Sequence, residues 1–186
     1  MAILKIARLG HPILRKVAQP VKEKEIKKPE FQAFLEDMSE TMHEYDGIGL
    51  AAPQVHRSSR ISVVEIREEN RRYPNKKLSG LHVFINPKVT VLSKEMGTYW
   101  EGCLSVPGMR GLVARPSKIR VEYLDRDARK HEVVAENFLA TVLQHEFDHL
   151  DGKLYVDKLA DPAKFAFDKE FEKYWLPNAE DADEVG

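Results

Sequence analysis

The order of its hydrophobic periodicities predicts an α+β domain for this chain of 186 residues. One amphipathic helix comes first, a series of β-like runs follows, and helical periodicity returns towards the end. The length favours a single domain with a core that needs no disulfide or structural metal. We place that domain at residues 1–175 and read 176–186 as an acidic, flexible tail.

The elements follow in order. Residues 1–28 read as irregular, mostly extended chain broken at "GHP" and "QP". From Pro29 the side chains of Phe31, Phe34, Leu35, Met38, Met42 and Tyr45 share one helical face, which reads as core. Pro29 suits the first turn, and Asp46-Gly47 ends the helix. The runs "ISVVEI" (61–66), "LHVFIN" (81–86) and "KVTVLS" (88–93) predict strands, with residues 67–80 as an exposed polar loop. "KIRVEYL" (118–124) and "KHEVVAE" (130–136) predict a hairpin across "DRDAR". "NFLATVLQHEFDHLDG" predicts a helix capped by Asn137 and ended by Gly152, and 161–175 a last helix starting near Pro162.

Composition narrows the function. The net charge is −1, which gives no broad basic surface for nucleic acid. No apolar run reaches the roughly 18 residues of a membrane helix, and the N-terminal stretch lacks the apolar core of a signal peptide. Cys103 is the single cysteine, so no internal disulfide forms, as expected of a cytoplasmic protein.

The chemistry concentrates in "HEFDH". Helical spacing puts His145 and His149 one turn apart on one face, able to grip one metal ion between them. Glu146 projects beside the pair, where a carboxylate can take a proton from a water. Apolar Phe138, Val142 and Leu143 ahead of the motif favour a helix buried along this face, rather than two histidines on a surface helix. Two histidines leave a catalytic metal one protein ligand short. Three residues compete for the third place. Tyr155 stands where one protease class has a third histidine, but it is a poor substitute for imidazole. Glu170 has the spacing of another protease class, yet reads equally well as a solvated helix position. Cys103 lies in "YWEGCLSVPGMRG", tight-turning chain in which a metal would hold a thiolate. The same cysteine could instead serve as a nucleophile, but that leaves the paired histidines and Glu146 without a role. "GIGLAAPQ" lacks the phosphate-loop pattern. It offers bare backbone at Gly49 to an extended substrate and an amide donor at Gln54.

Together, "GIGLAAPQ", "EGCLS" and "HEFDH", in that order, resemble the peptide deformylases, which carry G-x-G-x-A-A-x-Q, E-G-C-x-S and H-E-x-D-H segments. The likeness extends to "GHPILRKVAQPV", "INP" and "QHEFDHLDG", and the tail matches no motif. The resemblance implies an α+β fold with mixed or antiparallel strands surrounding a central metal-binding helix. It implies a hydrolase that removes the N-formyl group from the initiator methionine of new polypeptides, releasing formate. The metal ligands would be Cys103, His145 and His149, with a metal-bound water as nucleophile and Glu146 as general acid/base. The oxyanion would be held by Gln54 and the Leu104 backbone N–H. The ion implied is Fe²⁺, with Zn²⁺, Ni²⁺ or Co²⁺ able to use the same site.

Helical spacing from His145 nominates Phe138, Thr141 and Val142 for the methionine pocket, and Ile48 and Tyr99 join from their places beside the motifs. Glu101, Arg115 and Asp148 are candidates to orient the ligands. The partners implied are formylated nascent chains and, through the segment with Lys164, Lys169 and Lys173, the ribosome. A protease of internal peptide bonds that uses Glu170, and a non-catalytic metal module, are the competing classes.

Overall fold

The computed structural model describes residues 2–66 and 80–176. The predicted loop up to Ser79 and the tail from 177 onward lie outside the described residues. Among the described residues, eight strands form two sheets. Strands β1 (Gly49–Ala51), β2 (Ile61–Ile66), β3 (Gly80–Val91), β6 (Lys118–Leu124) and β7 (Lys130–Glu136) make one sheet in the order β1-β2-β3-β6-β7. Strands β4 (Met96–Cys103), β5 (Val106–Pro116) and β8 (Phe165–Phe167) make the other, in that order. Every neighbouring pair is antiparallel.

Helix α3 (Asn137–Leu150) touches strands of both sheets and so runs through the middle of the domain. One face packs Leu139, Ala140, Leu143, Phe147 and Leu150 against Phe84, Ile119 and Val121. Its N-cap is Glu136, without a side-chain bond; Asn137 does not cap the helix but opens it with φ +55°, a conformation that asparagine tolerates. The C-terminus closes in a Schellman turn. Gly152 (φ +70°) donates its N–H to the His149 carbonyl and Lys153 to that of Asp148. The last turn, which carries His149, therefore does not fray.

Helix α2 (Pro29–Glu44) buries Phe31, Leu35, Met38 and Met42 beneath the first sheet. Phe34 lies only half-buried under the Arg57 guanidinium, and Tyr45 is exposed past the helix end.

Several expectations are corrected. The first 28 residues contain a 3₁₀ turn, Pro12–Arg15, and a short helix α1, Glu23–Ile26. The two runs at 81–93 form the single strand β3. Its ladder shifts between Ile85 and Lys88, where Asn86 turns to φ +52° and Pro87 has no N–H to give. The stretch around Cys103 turns tightly, as expected, but within a hairpin: β4 and β5 pair on either side of a turn at Leu104-Ser105, and their register shifts between Gly102 and Cys103. The last helix is only α4 (Asp168–Tyr174), because a 3₁₀ turn at Pro162–Lys164 leads into β8 on the edge of β5.

Candidate active site

Helix α3 and the β4–β5 turn face each other across a cleft of about 1150 Å³. His145 and His149 project from adjacent turns of the helix, their rings 5.2 Å apart. Cys103, the last residue of β4, brings its sulfur to 3.3 Å from His149 Nε2. The ligand-type atoms of Cys103, His145 and His149 all lie within 4.8 Å of one another. Both histidines are buried and Cys103 is half-buried. A thiolate and two imidazoles at this separation fit a tetrahedral cation with one position left open.

The other two competitors for the third place are placed differently. Glu170 is exposed on α4 and is not part of the cluster. Tyr155 is wholly buried. Its hydroxyl donates to the Met109 carbonyl at 3.1 Å, and its ring stacks over His145 at 6.0 Å.

Behind the ligands lies a buried ionic relay. Glu101 Oε2 stands 2.7 Å from His145 Nδ1. Arg115, 1% exposed, donates to both Glu101 oxygens at 2.6 and 2.9 Å and to Asp148 at 2.7 Å. Lys158 reaches the second oxygen of Asp148 at 2.8 Å. Burial alone would raise the Glu101 pKa, but hydrogen bonds from Arg115 and His145 outweigh it and hold the carboxyl at about 2. Glu101 is therefore a carboxylate and accepts a hydrogen bond from His145 Nδ1–H, which favours the tautomer whose Nε2 lone pair can face a metal. Burial works against charge on both histidines. It pulls His149 well down, whereas contacts with Cys103 and Glu101 push His145 up.

Glu146 is 5% exposed and lines the cleft. Its Oε2 is buried with no hydrogen-bond partner among the described residues. Burial pushes its pKa up to about 7. An unpartnered acid beside three convergent donors suits a group that exchanges a proton with a water or an amine.

The glycine segment supplies the opposite wall. Gly49 opens β1, which among the described residues is an edge strand, so the outer side of its backbone can pair with an extended chain. A Cβ at Gly49 would stand 2.5 Å from Glu146 Cδ, so glycine is what lets this strand approach the carboxylate. Gln54 follows on a 3₁₀ turn (Ala52–Val55) and is 2% exposed. Its Nε2 lies 3.5 Å from Cys103 Sγ. Leu104, Ile48, Phe138, Thr141 and Val142 line the same cleft. Tyr99 sits one step behind, its ring edge-on to Phe138 at 5.3 Å. Reading the sequence missed Trp100, Met109 and Arg110, which line the cleft, and the N-terminal residues Lys5 to Arg8, which line it too. Trp100 packs against Phe171 of α4 at 4.9 Å; only pairing of β4, β5 and β8 could have pointed to it.

The sequence matches the family model described as polypeptide deformylase over residues 3–165. A peptide deformylase of Leptospira biflexa is 44% identical over 172 residues, covering 92% of this chain and 96% of that protein. One of Pseudomonas aeruginosa is 44% identical over 173 residues, with 93% and 96% covered. The crystal structure of a class I type b peptide deformylase from Acinetobacter baumannii, bound to Met-Ala-Ser, is similar with a TM-score of 0.79 at 39% identity, over 85% of this chain and 99% of that one. A Thermotoga maritima peptide deformylase gives 0.76 at 35%, over 87% and 100%. The chain belongs to the polypeptide deformylase family, metal-dependent enzymes that remove the N-formyl group from nascent polypeptides.

Proposed function

We propose that this protein performs deformylation with Cys103, His145 and His149 holding one divalent cation and Glu146 moving the proton. The observation that carries the reading is the unpartnered, buried Glu146 carboxylate beside three converging metal donors. The cation supplies Lewis acidity, which acidifies a water and polarises the formyl oxygen. One thiolate and two imidazoles suit several divalent ions; Fe²⁺ is our assignment, drawn from the family resemblance.

Glu146 accepts a proton from the attacking water and delivers it to the amine nitrogen as the C–N bond breaks, leaving formate and a free N-terminus. The Gln54 amide and the Leu104 backbone N–H donate to the oxyanion that develops on the formyl oxygen. Ile48, Phe138, Thr141 and Val142 form the wall for an unbranched methionine side chain, with Tyr99 supporting Phe138. Glu101 fixes the His145 tautomer, and Arg115 and Asp148 hold Glu101 and the helix in place. The backbone at Gly49 pairs with the extended substrate.

This reading puts the enzyme in the bacterial-type cytoplasm, where formylated chains emerge and a lone thiol stays reduced. A ribosome contact through the segment with Lys164, Lys169 and Lys173 is our further assignment. Its test is co-sedimentation with ribosomes at low salt, which Lys169→Glu with Lys173→Glu should abolish. The central test is Glu146→Ala, which should keep its metal while turnover falls by orders of magnitude. A nearly normal rate would remove Glu146 from the mechanism.

A further inference from the structure

Ser105 has no part in the mechanism above, yet it is wholly buried beside the reacting groups. It is the second residue of the β4–β5 turn, two positions after Cys103. The Gln54 side chain is held at two points. Its Oε1 accepts the Ala51 backbone N–H at 2.8 Å. Because that N–H can only donate, the amide oxygen must face it, and the NH₂ must face the cleft. The Nε2 group then donates to Ser105 Oγ at 3.3 Å and lies 3.5 Å from Cys103 Sγ.

With Oε1 alone anchored, the amide plane could pivot about that bond, and neither N–H would keep a fixed direction. An acceptor at Ser105 takes one proton and fixes the amide plane, which leaves the second directed towards Cys103 Sγ in the wall of the cleft. The backbones of both residues are set by one extended segment. Ala7 donates its N–H to the Gln54 carbonyl and Leu9 donates to the Ser105 carbonyl, each at 2.7 Å.

We infer that Ser105 is a positioning residue for the deformylation reaction: its hydroxyl orients the Gln54 amide so that one N–H is poised for the oxyanion. The inference rests on the oxyanion role proposed for Gln54. Because serine acts through glutamine, its effect must vanish when the glutamine is gone.

The test is a double-mutant cycle on the metal-loaded enzyme, with Ser105→Ala, Gln54→Ala and both together, assayed on formyl-Met-Ala-Ser, with metal content and thermal unfolding measured alongside. We expect Ser105→Ala to lower kcat roughly tenfold, the scale of one hydrogen bond, with KM, metal content and melting nearly unchanged. The double variant should match Gln54→Ala. A normal kcat for Ser105→Ala beside an impaired Gln54→Ala overturns this inference alone. So does a Ser105→Ala loss that repeats in the Gln54→Ala background, or one that comes with metal loss. A normal rate for Gln54→Ala overturns the oxyanion role, and this inference with it.

Discussion

Replacing Gly49 by alanine separates catalysis from stability. A Cβ there would stand 2.5 Å from Glu146 Cδ and 2.7 Å from Cγ, and closer still to Oε1. Ordinary van der Waals contact begins near 3.4 Å, so the carboxylate must retreat by about 1 Å. Helix α3 cannot yield, since it is packed between two sheets; the side chain must swing instead. A misplacement of this size at a reacting group costs about 10²-fold in rate. Stability should hardly respond. The displaced atoms belong to a flexible side chain that lines a cleft, and alanine stabilises by about 0.4–1 kcal/mol through the unfolded chain where its backbone conformation is allowed. Formate release, metal content and melting temperature would be measured on the same preparation. We predict kcat down about a hundredfold, with metal retained and melting little changed. A kcat within about threefold of the parent would refute the placement of Glu146 against β1. A melting temperature that collapses with the activity would show that Gly49 serves the fold instead.

Cys103→Ser should lower metal affinity and activity together; full metal content at a normal rate would return the third ligand to another residue. Arg115→Met would leave buried Glu101 with His145 alone and Asp148 with Lys158 alone. Breaking a buried pair costs about 3–5 kcal/mol, which in a domain of this size lowers the melting temperature by roughly 6–20 °C, and metal affinity should fall about 10–100-fold as His145 loses its orientation. A small shift in both would mean that the relay contributes little. Glu101 also predicts an acid response. Its pKa is about 2 in the fold against an ordinary 4.5, so the unfolded chain binds its proton first as pH falls. The stabilisation is whole above the unfolded value and is lost on the way down to pH 2. In metal-free protein, the urea midpoint should fall more steeply between about pH 5 and 3 for the parent than for Glu101→Gln; parallel curves would contradict the assignment.

The strands that could be read from sequence are those whose inward positions are aliphatic. Residues 61–64 and 83–85 are buried on both faces, and Ile119 and Val121 are buried on either side of half-buried Arg120. Strands β4 and β5 could not be read this way, because their buried positions include Glu101, Gly111 and Arg115. The relay behind the ligands occupies places where a core strand would show valine or isoleucine. The same cause hid Trp100 and Arg110 as cleft residues. Near the end of the chain, Phe165 and Phe167 alternate as a strand does, but only the unpaired edge of β5 makes that alternation decisive. Within the site, helical spacing sufficed to bring His145, Glu146 and His149 together. The convergence of Cys103 depends on a second sheet, and local periodicity carries no trace of it; only the three motifs in order pointed there. Tyr155 shows the converse. Its sequence position made it only a poor candidate for the third ligand, and its ring is a packing surface for His145.

The most direct test of the account is formate release from formyl-Met-Ala-Ser by the purified protein loaded with Fe²⁺ under exclusion of air. The account predicts one formate and one free Met-Ala-Ser per turnover, loss of activity on chelation, and no attack on the same peptide without its formyl group. Cleavage of an internal peptide bond, or formate release that survives removal of the metal, would contradict it.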